Sequence, residues 1–270
     1  MSNEQTPTHR VGDVLIRAEG PVVTATIDRP QKRNAINFAV IEGIDAAIEL
    51  TVERQASVLV LRGSGGNFCA GADLEFVRSC IDDVAPLTDF LARLSDVCNR
   101  LSDGPFVSLA VVTGYAVAGG CELLVACDLA VCSEDAQIGD RHLQNALLPG
   151  AGNSVRLPAA IGPARARRLF YTAEMIPGRQ AEAWGLVCGC APTDQLEDQV
   201  SELVERVASR SPAALRAMKE MVVCAETKPI AEALADERRI FLEYAEGSDH
   251  VRNALSAFLG RNHQPTSTER

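Results

Sequence analysis

The sequence of 270 residues lacks the features that mark several large classes of protein. Its apolar runs fall well short of the roughly 20 residues that a membrane helix needs. It contains neither G-x-x-x-x-G-K-[ST] nor a complete G-x-G-x-x-G, which are the spacings of phosphate-binding loops. No H-E-x-x-H or comparable metal-ligand spacing occurs. These absences argue against a membrane-spanning protein, a phosphate-loop nucleotide-binding protein and a zinc enzyme.

Basic residues are fewer than acidic ones: the sequence has 26 Lys and Arg and 36 Asp and Glu, which gives a net charge of −10. This balance argues against nucleic acid or an anionic membrane as the main partner. The nine cysteines show no paired spacing and lie mostly among apolar residues, where cysteine packs as a small hydrophobe. Cys188 and Cys190 have no second pair or histidine cluster at metal-ligand spacing, so we interpret them as structural. Because the N-terminal segment shows no secretory signal, we expect a reduced, soluble, cytoplasmic protein.

The order of apolar patterns along the chain predicts an α/β architecture with a largely buried sheet. Segments with strand signals alternate with segments of helical spacing; the first kind covers 14–30, 57–63 and 105–114, and the second covers 38–53, 86–103 and 119–132. From about residue 164 the signals become almost purely helical. The predicted organisation is a disordered tail over 1–10, a core over 11–200, a helical region over 201–262 and a tail over 263–270.

Two glycine-rich turns each lead from a predicted strand into a predicted helix. One is RGSGGNFCAGADL over residues 62–74, and the other is GYAVAGGCE over residues 114–122. Amides at the start of a helix have no partner inside it, and the helix dipole favours negative charge there. One such N–H group from each turn would form an oxyanion hole. Glu122 lies in the first turn of the second helix, where it either takes part in chemistry or caps its own helix.

A polar segment, IGDRHLQNALLPG over residues 138–150, interrupts the apolar part of the chain. It places Asp140, Arg141 and His142 in a row, and His142 is one of four histidines in the sequence. We interpret the segment either as a charged loop facing water or as part of a reaction centre. The GNSVR that follows lacks the second glycine of a G-x-S-x-G nucleophile turn, so Ser154 is interpreted as structural.

Five motifs, taken in order, resemble the crotonase superfamily, the enoyl-CoA hydratase/isomerase group. They are IDRPQKRNAIN, NFCAGADL, GYAVAGGCELLVACDLAV, LLPGAGNSVRLPAAIGPARARRLFYTAEMIPGRQAEAWGLV and SPAALRAMKEMV. The resemblance covers roughly residues 11–262. It implies a spiral of ββα units, a helical C-terminal region that builds trimers or hexamers, and a CoA thioester substrate with no other cofactor. We expect residues 75–90 to shape the acyl pocket.

The resemblance also implies roles for individual residues. The oxyanion-hole amides are those of Ala72 and Gly119. The residues implied to bind CoA are Lys32, Arg33, Ala35, Gly71, Asp73 and Leu74. In the hydratases of this group two glutamates hold one water molecule, and Glu122 matches the first of them. The second position, 20 residues later, is occupied by His142 in this sequence.

A histidine at this position leaves three interpretations open. In the first, Glu122 and His142 are a mixed acid and base pair that hydrates a 2-enoyl-CoA, since an imidazole, with a reference pKa of about 6.5, serves in either role. In the second, the change marks double-bond isomerisation, or hydrolytic cleavage of a C–C or thioester bond. In the third, the protein binds acyl-CoA without turnover. If the loop is shifted by two residues, Asp140 supplies the missing carboxylate, and Arg141 pairs with an acid or with the ligand.

Overall fold

The computed structural model describes residues 8–246 and 249–261. Their internal contacts divide the chain into two compact units, which meet in sequence between Ser209 and Arg210. The boundary predicted after residue 200 falls inside helix α8 (Leu196–Ala208). Two residues of that helix, Leu196 and Val200, pack into an apolar cluster with the strands of the first unit. The helix therefore belongs to the first unit.

Residues 1–7 of the predicted N-terminal tail, residue 262 of the predicted helical region and the whole predicted C-terminal tail, 263–270, lie outside the described residues. Residues 9 and 10, which the sequence placed in the N-terminal tail, instead form part of β1 (His9–Val11). This strand pairs antiparallel with β2 (Val14–Glu19) across a tight turn. The Arg10 side chain also forms an ion pair with Asp28, so the ordered core begins earlier than predicted.

A seven-stranded sheet forms the centre of the first unit. Its strands, in spatial order, are β1, β2, β3 (Val22–Ile27), β4 (Val58–Gly63), β5 (Val107–Val112), β7 (Leu129–Ser133) and β10 (Gly189–Ala191). Pairing is parallel from β3 to β10 and antiparallel among β1, β2 and β3. A smaller sheet contains β6 (Tyr115–Val117), β8 (Gln137–Gly139) and β9 (Ile176–Pro177). The α/β fold class expected from the sequence is confirmed.

Both faces of the large sheet are buried, which explains why its central strands are apolar without alternation. In β4, Leu59 and Leu61 belong to the main core, whereas Val58 and Val60 belong to the cluster under α8. The helices of the first unit are α1 (Phe38–Glu53), α2 (Leu74–Ser79), α3 (Ala85–Asp103), α4 (Gly119–Ala126), α5 (Asn153–Ile161), α6 (Pro163–Thr172), α7 (Gly178–Trp184) and α8. The second unit contains α9 (Pro212–Thr227), α10 (Ile230–Glu246) and α11 (Asp249–Arg261).

The single buried helix predicted over residues 119–132 is wrong in its second half. Helix α4 ends at Ala126, and the chain continues as strand β7 of the large sheet. The change occurs at Asp128, whose carboxylate accepts hydrogen bonds from the backbone N–H and the hydroxyl of Ser108 at 2.7 and 2.9 Å. Periodicity cannot separate a buried helix from a buried strand in an all-apolar run. After residue 164 the sequence predicted an almost purely helical region, and the short strands β9 and β10 in that region were not predicted.

Among the described residues, no helix is both long and apolar enough to cross a membrane.

Candidate active site

The two glycine-rich turns meet beside β6. Cys69 pairs with that strand, because its N–H donates to Tyr115 at 2.8 Å and its carbonyl accepts from Val117 at 3.1 Å. This pairing brings the start of α4 next to Ala72: a Cβ built on Gly119 would lie 3.4 Å from the Ala72 nitrogen. In the described part of the chain, neither the Ala72 nor the Gly119 amide donates a hydrogen bond to another protein group. The arrangement is suited to an oxyanion hole.

Ala118 adopts a backbone conformation that orients the N–H group of the next residue, Gly119. Its φ of 51° and ψ of −120° are rare for a residue with a side chain and cost free energy. The conformation is held in place because the Ala118 N–H donates to the carbonyl of Gly139 at 3.2 Å. Strain at a helix start that presents a free amide is typical of a functional site.

We expect Gly71→Ala to damage the predicted oxyanion hole directly. Gly71 has a φ of +92°, and a Cβ there would lie 2.9 Å from the Ala118 Cβ and 3.2 Å from the Gly119 nitrogen. The added methyl would therefore push the two amides apart, and turnover of substrate should fall by about 100-fold or more. Steady-state kinetics measures the loss. Gly66→Ala is the control, because Gly66 also has a positive φ but nothing within 4 Å of its Cβ position.

Glu122 is buried in α4, with 2% of its surface exposed. Its Oε1 accepts backbone N–H groups from Ala151 at 2.7 Å and from Asn153 at 3.3 Å. It makes no capping hydrogen bond to its own helix, so the interpretation of Glu122 as a helix cap is wrong. Burial raises the pKa of Glu122, and this outweighs the Ala151 hydrogen bond and the nearby His142, which lower it. Glu122 is therefore more readily protonated than an exposed glutamate.

His142 lies against Glu122 and Asp140 at the start of a short 3-10 helix (His142–Asn145). Its Nδ1 is 3.0 Å from Asp140 Oδ2, and its Nε2 is 3.9 Å from Glu122 Oε2. With 9% of its surface exposed, it is not the solvated loop histidine of one interpretation. Because an ionised carboxylate only accepts hydrogen bonds, Asp140 places the proton of a neutral imidazole on Nδ1. The lone pair of Nε2 then faces Glu122.

Asp140 is buried behind His142 and stays ionised. Burial by itself would raise the pKa of Asp140, but the hydrogen bond and charge of His142 and a hydrogen bond from Asn153 together lower it. The carboxylate also accepts the backbone N–H of His142 at 3.2 Å. Asp140 thus orients the imidazole. It does not take the place of the missing second glutamate facing Glu122.

The segment predicted to bind CoA has its charged side chains partly engaged within the protein. Arg29 is held by Asp73 at 3.0 Å and also donates to the carbonyl of Ala35. Burial would raise the pKa of Asp73, but the Arg29 hydrogen bond and a backbone N–H from Glu75 lower it. Lys32 pairs with Glu75 at 2.7 Å in an exposed position. Asp73 therefore ties the two predicted CoA segments together through its side chain.

The other residues predicted at the CoA site line the same region. The Arg33 guanidinium lies over the Tyr115 ring at 5.3 Å, and its backbone is left-handed with a φ of 49°. Gly71 accepts a backbone hydrogen bond from Ile36 at 2.8 Å, which joins the two loops. Leu74 is half exposed at the start of α2.

Arg141, which was predicted to pair with an acid or with the ligand, is partly exposed in a left-handed conformation just before the 3-10 helix.

Aromatic side chains gather in the stretch predicted to shape the acyl pocket. Phe76 and Phe90 contact each other and Phe38, with ring centroids 5.1 to 5.6 Å apart. Nearby on α3, Leu91 fills the space beside Gly150, where a Cβ would come within 2.7 Å of it. The loop that holds Glu122 is therefore packed against an apolar side chain of α3.

Two residues of the site, Ala151 and Asn153, were not predicted from the sequence. Both lie in the PGAGNSVR segment, next to Ser154, which is exposed. Their contribution through backbone N–H groups leaves no signature in residue type. Within the described residues, no group of three or more His, Cys, Asp or Glu side chains is placed to hold a metal ion.

The chain is similar to known proteins over most of its length. A family model described as "Enoyl-CoA hydratase/isomerase" matches residues 17–267. A protein of Rhizobium meliloti (strain 1021) named "Probable enoyl-CoA hydratase" is 34% identical over 92% of this chain and 95% of its own length. The "2,3-dehydroadipyl-CoA hydratase" of Escherichia coli (strain K12) is 31% identical over 92% of this chain and 96% of its own. A crystal structure of an enoyl-CoA hydratase subunit from Geobacillus kaustophilus HTA426 has a TM-score of 0.86 at 31% identity, covering 94% of this chain and 97% of that one.

The parallel-rich sheet and the C-terminal helices match solved structures of the crotonase fold. The chain belongs to the enoyl-CoA hydratase/isomerase family. The family resemblance drawn from the five sequence motifs is confirmed.

Proposed function

We propose that the protein adds water across the Cα=Cβ bond of a 2-enoyl-CoA thioester. The observation that carries the proposal is the buried pair of Glu122 Oε2 and His142 Nε2, which are 3.9 Å apart. One water molecule can bridge these two atoms, because two hydrogen bonds of about 2.8 Å each, bent at the water oxygen, span this distance. Relatives named as hydratases at 31% and 34% identity support the same reaction.

The amides of Ala72 and Gly119 would act on the thioester oxygen. When water adds to Cβ, the electron pair of the double bond moves towards the carbonyl, and its oxygen becomes an enolate oxygen. Two N–H groups aimed at that oxygen stabilise the charge as it develops. Removing one donor of this kind typically costs about 3–4 kcal/mol in the barrier. This contribution does not depend on which acyl group is attached.

His142 is the base in this scheme. Its Nε2 takes one proton from the water as the oxygen forms its bond to Cβ. The imidazolium that results is stabilised by Asp140, whose carboxylate lies 3.0 Å from Nδ1. Because Asp140 is buried and ionised, its negative charge acts at short range in a site with little water.

Glu122 is the acid that completes the addition. Its raised pKa favours the protonated form, which delivers a proton to Cα as the enolate collapses. The product has then gained one water: the hydroxyl on Cβ and a proton on Cα. The proton taken by His142 returns to Glu122 through the next water in the gap, and both groups are restored.

The proposal includes the partners and the location of the protein. Water addition uses no cofactor beyond the CoA that the substrate brings. The family resemblance suggests a homotrimer or a hexamer made of two trimers, and self-association is supported by large apolar side chains exposed on the helices of the second unit; they are Met218, Val222, Ile230, Leu234, Phe241, Leu242, Leu255, Phe258 and Leu259. Light scattering tests this, and a monomeric mass would contradict it. None of the nine cysteines forms a disulfide in the described residues, which supports a cytoplasmic location.

A second candidate is hydrolysis of a thioester or C–C bond. The observation in its favour is the Asp140–His142 pair, since a histidine oriented by a buried carboxylate is a common device for activating a nucleophile towards a carbonyl. In this alternative the water oxygen would bond to a carbonyl carbon, and free CoA or a cleaved acyl fragment would leave. The two reactions therefore differ in their products.

A panel of trans-2-enoyl-CoA thioesters with short, medium, branched and aromatic acyl groups tests the proposal. We expect loss of the conjugated-thioester absorbance, and a product one water heavier with its thioester intact by mass spectrometry. His142→Gln should reduce this turnover by at least about 100-fold. Absence of hydration across the panel would rule the proposal out, and release of free CoA thiol would favour hydrolysis.

A further inference from the structure

Asn153 lies between the two carboxylates of the site. It is the first residue of α5 and is wholly buried, with 0% of its surface exposed. Its backbone N–H donates to Glu122 Oε1 at 3.3 Å, and its side-chain Nδ2 donates to Asp140 Oδ2 at 2.8 Å. One residue therefore contacts both the proposed acid and the carboxylate that orients the proposed base.

The direction of the Asn153 amide follows from its partner. An ionised carboxylate only accepts hydrogen bonds, so the NH₂ group must face Asp140, and the flipped amide would bring two oxygens together. Asp140 Oδ2 also receives His142 Nδ1 at 3.0 Å, while Asp140 Oδ1 receives the His142 backbone N–H at 3.2 Å. With these three donors in place, the carboxylate is restrained from rotating away from the imidazole.

We propose that Asn153 is a positioning residue for the hydration reaction: through Asp140 it keeps the imidazole proton on Nδ1 of His142, so that Nε2 faces the water as a base. This inference rests on the function proposed above and adds a residue to it. In this scheme Asn153 acts through Asp140 and His142 and has no direct part in the chemical step. Its neighbour Ser154 is exposed and has no such contact, so the effect belongs to one side chain of the turn.

Two substitutions separate the amide donor from the space that it fills. Asn153→Ala keeps the backbone N–H on Glu122 but removes both the donor to Asp140 and the volume of the amide. Asn153→Asp keeps the side-chain volume but turns an acceptor, charged like its partner, towards Asp140. We expect kcat to fall by roughly 10–100-fold in Asn153→Ala, at least as far in Asn153→Asp, and KM to stay within about twofold. Ser154→Ala is the matched control and should leave both parameters unchanged.

The histidine tautomer gives a readout that a merely structural role would not move. In protein labelled with ¹⁵N-histidine, His142 is one of four histidines, and its signals are those lost in His142→Gln. We expect the Nδ1–H tautomer in the parent protein and in Ser154→Ala, and an increased share of Nε2–H in both Asn153 variants.

Two results would overturn the inference. One is a folded Asn153→Ala protein with unchanged tautomer and kcat, and the other is Asn153→Asp with near-parent activity, because volume alone would then suffice. Failure of the inference is distinguishable from failure of the proposed function. If no enoyl-CoA is hydrated, the function fails, whereas the tautomer measurement still decides what Asn153 does to His142.

Discussion

Replacement of Glu122 by Gln should abolish most of the hydration activity while leaving the fold intact. The amide oxygen of Gln can still accept the N–H groups of Ala151 and Asn153, which hold Glu122 Oε1 in the parent protein. What is lost is the acidic proton that the mechanism delivers to Cα. General acid catalysis contributes typically 10²–10⁴-fold, so we expect kcat to fall by about 1,000-fold.

The comparison needs a control and a check of folding. Glu205→Gln alters an exposed glutamate of α8 and should retain full activity. Thermal unfolding should show Glu122→Gln to be no less stable than the parent, because the exchange removes a group whose ionisation burial disfavours. A folded Glu122→Gln protein within about tenfold of the parent kcat would remove Glu122 from the role of acid.

The second large effect is expected for Asp140→Asn, which should disturb the imidazole without emptying the site. In the parent, Oδ2 accepts from His142 Nδ1 and Asn153, and Oδ1 accepts the His142 backbone N–H. An amide has one oxygen only, so either orientation places its NH₂ group against at least one donor. When the NH₂ group faces Nδ1, the imidazole proton moves to Nε2. Nε2 then has no lone pair with which to accept a proton from water.

We expect kcat of Asp140→Asn to fall by about 1,000-fold, since exchanging the Asp that orients a catalytic His costs up to about 10⁴-fold in serine proteases. Steady-state hydration kinetics measures the effect. Asp135→Asn is the matched control, because Asp135 lies on the exposed turn before β8 and its bond from Thr193 can be kept by an amide oxygen. If the Asp140→Asn protein kept most of its activity, the addition of water would have to use a base other than an oriented His142.

Prediction from sequence was most successful where a local pattern has one structural outcome. Helix α1 occupies the residues 38–53 that were predicted from apolar spacing, and the strands around Gly20-Pro21 also lie where expected. The pattern misled over residues 119–132, where helix α4 gives way to β7. Most residues there are apolar, so their spacing does not mark where the helix ends; in the structure the change occurs at Asp128, which is hydrogen-bonded to Ser108.

The candidate site shows the same division between local and distant information. The two turns that present amides could be predicted because glycine-rich turns at helix starts are visible in a single sequence, and the family resemblance then implied Ala72 and Gly119. The contacts of Asn153 could not, since Asp140 and Glu122 lie 13 and 31 residues away from it. Because Asp140 lies two residues before His142, the sequence suggested that it could supply the carboxylate of the missing second glutamate. The structure instead places Asp140 behind the imidazole as its hydrogen-bond partner.

By itself, the sequence determined the fold class, the family and the two turns that present amides, because these depend on periodicity, glycine placement and motif order. The tertiary structure decided the order Asn153, Asp140, His142 and Glu122 across the site. It also decided the raised pKa of Glu122, since that depends on burial by distant parts of the chain. Burial and hydrogen bonding between distant segments arise only when the chain is packed, and they set which group holds the proton.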